Sequence, residues 1–120
     1  MTLAIHETGA VRIAEVVADD ILINTPEEAL QLIVDVYYQN FEKMIIHEKN
    51  IIPAFFDLKT GIAGEVLQKF VNYRMQLSIV GTFEHYTSKS IRDFIYESNK
   101  GRQISFLSSV EEAVEKLSGI

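Results

Sequence analysis

Three short apolar runs recur along the chain, at Lys43–His47, Gln76–Gly81 and Gln103–Leu107. Their hydrophobic residues are continuous rather than alternating, which is typical of strands that are covered on both faces of a sheet. The segments between them carry apolar residues at spacings of three and four, which is typical of amphipathic helices. Strands that alternate with helices predict an α/β fold whose sheet is mainly parallel.

The N-terminal part of the chain adds a hairpin to this pattern. Leu3–Glu7 and Val11–Val17 are rich in β-forming residues, and the Thr8-Gly9 pair between them is a turn signal. A capping sequence then predicts a helix that begins near Pro26. The predicted order is β-β-α-β-α-β-α-β-α, a mixed, mainly parallel sheet with an N-terminal hairpin and helices packed on it.

This architecture carries two checkable expectations. The strands that end at His47, Gly81 and Leu107 should be parallel neighbours, because each is joined to the next by a helix long enough for a crossover. The side chains on the inner strands and on the inward helix stripes should be nearly inaccessible. These are Ile46, Leu67, Phe70, Ile79, Val80 and Phe94.

Length and composition restrict the class of protein. The 120 residues, 48% of them hydrophobic, predict one domain that spans 1–120 and closes its own core. The absence of cysteine excludes disulfides and thiolate chemistry, and suits the reducing cytoplasm. No apolar run approaches the roughly 18 residues that span a bilayer, so we expect no membrane partner.

The charges are unevenly distributed. The formal net charge of -6 argues against a nucleic-acid partner, because phosphate neutralisation needs a dense Lys/Arg surface. Residues 1–48 contain two basic and nine acidic residues, whereas residues 49–102 contain eight basic and five acidic ones. The middle of the chain is therefore where an anionic ligand or an acidic partner surface would dock, although a solvated surface of mixed charge explains the same pattern.

The candidate site lies where the parallel strands end. Loops after the carboxyl ends of such strands converge on one edge of the sheet, which is where α/β folds usually bind ligands. A positive helix N-terminus is expected at the same edge. The candidate binding residues are His47, Glu48, Lys49, Asn50, Asp57, Lys59, Thr60, Gly61, Lys89 and Arg92.

The sequence lacks the motifs of a metal site, a serine hydrolase and a phosphate-binding loop. His47 and Glu48 should point to opposite sides of the strand, and the three histidines lack metal-ligand spacing, so we expect neither metal nor cofactor. No nucleophile motif of a serine hydrolase is present. The run "DLKTGIAG" invites comparison with a phosphate loop, but its Lys and Thr precede the glycines. Close packing of Gly61 and Gly64 against the sheet is the alternative.

Longer motifs carry a family resemblance. The segments "HEKN", "FFDLKTGIAGEVLQKF", "NYR", "SKSIRDFIYESNKG" and "SSVEEA" closely resemble a bacterial family catalogued as domain of unknown function 4180, over nearly the whole chain. That family carries no assigned activity. The element order also resembles the STAS domain, in which a Ser or Thr at the start of the second helix is phosphorylated to switch partner binding. Thr60 occupies that place, although the chain has Asp57-Leu58-Lys59-Thr60-Gly61 where STAS domains have Asp-Ser-Ser/Thr-Gly.

Two functions are compatible with these observations. The first is a non-enzymatic cytoplasmic interaction or regulatory module that binds a protein partner through the carboxyl-end edge of the sheet. The alternative is a small-anion binder or enzyme in which Lys49, Lys59 and Arg92 hold the ligand. A deep pocket would favour the alternative, and a shallow surface with an apolar rim would favour a protein partner.

Overall fold

The structure is a computed structural model, and it describes residues 1–119. After an opening two-stranded hairpin, four α-helices alternate with three further strands, as the sequence predicts. The strands are β1 (Thr2–Thr8), β2 (Val11–Val17), β3 (Lys43–His47), β4 (Gln76–Val80) and β5 (Ile104–Leu107). The helices are α1 (Pro26–Tyr37), α2 (Ile62–Asn72), α3 (Lys89–Lys100) and α4 (Val110–Leu117).

The strands form one mixed sheet in the order β1-β2-β3-β4-β5. Only the β1–β2 hairpin is antiparallel, and β2 through β5 are parallel neighbours. The predicted α/β class and the parallel pairing of the strands that end near His47, Gly81 and Leu107 are therefore confirmed. The carboxyl ends of four strands consequently lie along one edge of the sheet.

Helices α1 and α4 each begin at a residue whose side chain caps them. The Thr25 hydroxyl accepts a hydrogen bond of 3.1 Å from the backbone N–H of Glu28, and Ser109 caps α4 in the same way at Glu112. Helix α2 starts differently. Gly61 precedes it with a φ of 78°, a left-handed conformation that favours glycine, and a short 3-10 turn lies immediately upstream.

Two hydrophobic cores lie on the two faces of the sheet. The larger core packs α1, α2 and α3 against the inner face, which includes Met44 and Ile46 of β3. The smaller core lies beneath α4 on the outer face and includes Ile13 and Ile45. Helix α4 packs mainly against β3, β4 and β5, and Ala113 and Leu117 of this helix belong to the same core as Ile13 of β2.

The predicted core is confirmed at five of six positions. Ile46, Ile79 and Phe70 are completely inaccessible, and Leu67 and Val80 are 7% exposed. Phe94 is only partly buried, so that expectation was wrong. The reason is its location on α3, which packs at the edge of the sheet against β5 instead of over its centre.

The two glycines of "DLKTGIAG" do not pack closely against the sheet. A Cβ atom added at Gly61 or at Gly64 would meet nothing within 4 Å, so close packing is not the reason for either glycine. The backbone conformation explains Gly61, and Gly64 is an exposed residue within the first turns of α2. The structure offers no packing explanation for Gly64.

Asn50 joins two connecting segments beside the carboxyl ends of the strands. Its Nδ2 donates to the carbonyl oxygens of Ala18 and Asp20, at 2.9 and 2.8 Å. The backbone carbonyl oxygen of Asn50 accepts hydrogen bonds from the backbone N–H groups of Leu22 and Ile23. Asn50 is completely buried, so this predicted site residue holds the β2–α1 connection in place and presents no surface to a ligand.

Replacing Asn50 with alanine should therefore destabilise the fold. The backbone carbonyls of Ala18 and Asp20 would lose the donor that joins them to the segment after β3, at a cost of about 1–3 kcal/mol in the free energy of unfolding. Urea denaturation measures this change. The exposed Asn72→Ala is the matched control and should stay within about 0.5 kcal/mol of wild type. Equal effects of the two substitutions would contradict the bridging role of Asn50.

Candidate functional site

The segment after β3 forms a compact series of 3-10 turns. They cover Glu48–Asn50, Pro53–Phe56 and Leu58–Thr60 before α2 begins. Phe55 and Phe56 are 0% and 4% exposed, so the pair fills the core. Because these two rings anchor the segment, the polar residues on either side of them lie along the carboxyl-end edge of the sheet.

His47 and Glu48 are adjacent in sequence but bond to different parts of the molecule. The chain leaves the β conformation immediately after His47, where the first 3-10 turn begins. His47 contacts Glu15 of β2, whereas Glu48 contacts the loop between β4 and α3. The two side chains bond to different partners because the strand ends at His47, and not because side chains alternate along an extended chain as the prediction assumed.

Glu48 connects the end of β3 to the β4–α3 loop. Its Oε1 accepts a hydrogen bond of 3.1 Å from the backbone N–H of Thr82, and its Oε2 accepts one of 2.5 Å from the Tyr86 hydroxyl. Nε2 of His85 lies 3.5 Å from the same Oε2. With its side chain 19% exposed, this carboxylate is mainly occupied by protein groups.

Tyr86 is held from two sides. Its ring stacks on Phe56 with centroids 4.7 Å apart and planes at 15°. Burial, together with the hydrogen bond to Glu48 and the charge of its carboxylate, raises the pKa of Tyr86, so the hydroxyl stays protonated and donates. A concavity of about 250 Å³ lies beside this contact and includes Ile21, Lys49 and Pro53 in its lining.

A second polar cluster, the outer-face triad, consists of His6, Glu15 and His47. Nε2 of His6 lies 2.9 Å from Oε1 of Glu15, and Nε2 of His47 lies 2.8 Å from Oε2. Because an ionised carboxylate can only accept, each imidazole donates from Nε2. The triad therefore joins the three neighbouring strands β1, β2 and β3 through their side chains.

The environment of Glu15 favours its ionised form. Burial alone would raise its pKa, but the hydrogen bonds and charges of His47 and His6 together outweigh burial and lower the pKa of this carboxyl below its ordinary value. Its side chain is 14% exposed. Glu15 is therefore expected to be an ionised, largely desolvated carboxylate at neutral pH.

The predicted cationic residues do not converge on one point. Nζ of Lys49 lies 3.7 Å from Oδ1 of Asp19. Nζ of Lys89 lies 2.6 Å from Oδ2 of Asp93, which is one turn further along α3. Lys59 is exposed in the last 3-10 turn, where Asp57 accepts a hydrogen bond from its backbone N–H. Two of the cations that could hold an anion thus already have carboxylates beside them.

Thr60 is also engaged within the chain. Its hydroxyl lies 2.9 and 2.8 Å from the carbonyl oxygens of Ala54 and Asp57, to which it donates. The same oxygen accepts from the backbone N–H of Ile62 at 3.2 Å. The residue is exposed, but its hydroxyl serves to cap the start of α2 and to close the preceding turn.

An open concavity of about 480 Å³, the carboxyl-end groove, lies between α3 and the ends of β4 and β5. Apolar and aromatic side chains form much of its lining, and charged residues of both signs are also present. Its lining residues are Gly81, Phe83, Glu84, Arg92, Ile95, Tyr96, Asn99, Phe106, Leu107, Ser108 and Glu112. Tyr96 is 63% exposed, so this groove presents an aromatic ring to solvent.

The structure therefore divides the predicted site into separate regions. Arg92 lines the carboxyl-end groove, Glu48 and Lys49 line the smaller concavity, and His47 belongs to the outer-face triad. The sequence did not identify Glu15 or His6. The predicted hairpin pairing could have placed His6 near Glu15, but nothing local indicates that β3 lies next to β2.

Two features are absent from the part of the chain that the structure describes. Within residues 1–119 no group of three or more His, Asp or Glu side chains is arranged to hold a metal ion. No helix in the same residues combines the length and the apolar composition that a bilayer crossing requires.

The fold and the site define a small α/β protein whose mixed sheet carries an open groove at its carboxyl end. The model of a family described as a domain of unknown function (DUF4180) matches residues 8–117. Because this match covers most of the chain, the protein belongs to that family. No curated protein matches the chain.

Replacing Gly81 with alanine tests the contact beneath Glu48. The added Cβ would lie 2.5 Å from Cβ of Glu48, a contact that a rotation of the far end of the side chain cannot relieve. We expect a loss of about 1–3 kcal/mol in the free energy of unfolding, measured in urea. Gly64→Ala is the control and should stabilise by about 0.4–1 kcal/mol, because that site in α2 has open space.

The cause of this effect can be checked with a double variant. Glu48→Gly removes the Cβ atom with which the new Cβ at position 81 would clash. The double variant should therefore lose less free energy of unfolding than the sum of the losses of the two single variants. Strictly additive losses would contradict the proposed steric conflict.

The outer-face triad predicts a pH dependence of stability. Because the folded state lowers the pKa of Glu15, the unfolded chain binds the proton more tightly. This stabilisation is present above the ordinary carboxyl value of 4.5 and is lost as the pH falls through the lower folded pKa. Glu15→Gln should therefore be less stable than wild type at neutral pH, and the difference should shrink in acid.

Denaturant unfolding between neutral and acidic pH measures this difference. The exposed Glu111→Gln on α4 provides the matched control and should change stability little at any pH. A difference between wild type and Glu15→Gln that stays constant throughout the acid range would show that ionisation of Glu15 does not stabilise the fold.

Proposed function

We propose that this protein is a non-enzymatic interaction or regulatory module of the cytoplasm, which binds a protein partner through the carboxyl-end groove. The observation that carries the proposal is the character of this groove. It is open and about 480 Å³ in volume, and it combines apolar side chains with charges of both signs. Such a lining suits the side chains of a protein surface better than it suits a small charged ligand.

The aromatic residues at the groove support a protein partner. Phe83 and Phe106 pack edge to face with centroids 5.5 Å apart, and Phe94 packs on Phe106 at 5.9 Å. These contacts hold the floor of the groove rigid, while the exposed Tyr96 stands on the α3 side. Rigid aromatic side chains next to a partly polar rim are characteristic of the centre of a protein interface.

The placement of charge argues in the same direction. Lys49 and Lys89 have carboxylate neighbours within 4 Å, so an anion would have to compete with Asp19 and Asp93 for them. Glu84 and Glu112 line the groove together with Arg92, and both carboxylates would repel an anion that entered it. A mixed-charge rim of this kind provides orientation and specificity for a partner with complementary charges.

Substitutions in the groove test this proposal. Tyr96→Ala removes the exposed ring, and Arg92→Glu reverses a charge on the rim. After affinity capture with wild type and identification of the retained protein by mass spectrometry, the affinity of each variant for that protein is measured by calorimetry. We expect Tyr96→Ala to weaken binding by about tenfold, because truncating an interface hot spot costs 1–2 kcal/mol or more.

Tyr38→Ala is the matched control, because Tyr38 is 78% exposed at the end of α1, far in sequence from the groove residues. It should bind the partner like wild type, and all variants should retain the wild-type melting temperature. Equal binding by the groove variants and the control would contradict the proposal. Stabilisation of wild type by inorganic phosphate, lost in Arg92→Glu, would instead support the small-anion function.

A further inference from the structure

We propose that β1 pairs with β1 of a second copy of this chain, antiparallel about a two-fold axis, and joins the two sheets into one. The sheet has two edges, formed by β1 and by β5. An edge strand presents unpaired N–H and C=O groups that can accept another strand. The two edges of this sheet differ in length, in covering and in sequence, and all three differences point to β1.

The β5 edge is short and occupied. It has four residues, and α3 packs along it. The side-chain amide of Asn99 on α3 pairs with the backbone of Phe106: Oδ1 accepts from its N–H at 2.7 Å, and Nδ2 donates to its C=O at 3.0 Å. This amide takes the place that a neighbouring strand would fill at Phe106, so β5 offers no free backbone pair at that position.

The β1 edge is longer and uncovered. All seven residues of β1 pair with β2, which keeps the strand extended from end to end. Within residues 1–119 no other strand lies beside its outer edge, and no side chain hydrogen-bonds to its backbone. Its sequence, TLAIHET, contains no Lys, Arg or Pro, the residues that commonly protect an edge from pairing.

The same strand leaves a large hydrophobic side chain in solvent. Ile5 is 53% exposed, although it lies opposite the completely buried Ala14 in the hairpin. Leu3, on the same face of β1, is partly buried against the larger core. These two side chains form a short apolar row along the inner face of the edge, which extends the core towards the open side.

The sequence of β1 is complementary to itself in one register. If Ala4 lies opposite the partner's Ala4, then Leu3 lies opposite the partner's Ile5, and Ile5 opposite the partner's Leu3. Both apolar pairs fall on the inner face, where such cross-strand pairs are stabilising. Glu7, the only acidic residue of β1, lies near the end of the paired segment and does not meet its own copy.

Sedimentation equilibrium over a concentration series tests the pairing. We expect wild type to show a concentration-dependent dimer, and Ile5→Lys to raise its dissociation constant by about tenfold or more, because each dimer loses two apolar cross-strand pairs. Val71→Lys is the matched control, since Val71 is 45% exposed on α2 and away from the edge. It should leave the dissociation constant unchanged, and both variants should melt like wild type.

A cross-linking experiment tests the register. The chain has no cysteine, so Ala4→Cys introduces a single thiol on the proposed two-fold axis, and Val71→Cys provides a distant control. A short bismaleimide should cross-link Ala4→Cys into a dimer and leave Val71→Cys monomeric. A chain that stays monomeric throughout the series would overturn the proposal. A dimer that survives Ile5→Lys and does not cross-link through position 4 would overturn it as well, because its interface would lie elsewhere.

Discussion

The burial of β3 on both faces is the constraint on which the rest of the structure depends. Met44, Ile45 and Ile46 are all completely inaccessible, with Met44 and Ile46 in the larger core and Ile45 in the smaller one. Neighbouring strands that run parallel must be joined by crossovers, and the helices of those crossovers cover the faces of the sheet. The helices α1 and α2 supply those crossovers, and α4 covers the other face.

The same constraint determines where polar chemistry can occur. No ionisable side chain can lie within the buried part of β3, so His47 and Glu48 stand at its end, where the core closes. From that point one side chain turns to the outer face and bonds to Glu15, while the other reaches the loop after β4. Two adjacent residues thereby stabilise two separate regions, and the carboxyl-end groove opens next to the second of them.

The two edges of the sheet differ in how their outward backbone groups are hydrogen-bonded. The Asn99 amide satisfies both outward backbone groups of Phe106, so β5 presents no free pair at that position to another strand. The hairpin brings β1 into full register with β2 but supplies no equivalent cover for its outer side. Among residues 1–119 the outward backbone groups of β1 have no strand partner, and the exposed Ile5 lies beside them, so the proposed pairing would use both features.

The sequence by itself determined the class of fold, because hydrophobic periodicity and helix caps are local properties. The continuous run at Met44–Ile46, the cap at Thr25 and the turn at Gly9 each define an element without reference to distant residues. Periodicity also identified most of the core, and it failed at Phe94, whose exposure depends on α3 lying at the edge of the sheet.

Only the tertiary structure decided how the candidate site is divided. Asn50 and Thr60 have residue types that suit a binding site, yet the folded chain uses the amide of one and the hydroxyl of the other to satisfy its own backbone. Glu15 enters a site because β3 lies beside β2, a pairing that no local pattern encodes. Hydrogen-bond partners depend on distances between segments far apart in sequence, and those distances exist only after the sheet has formed.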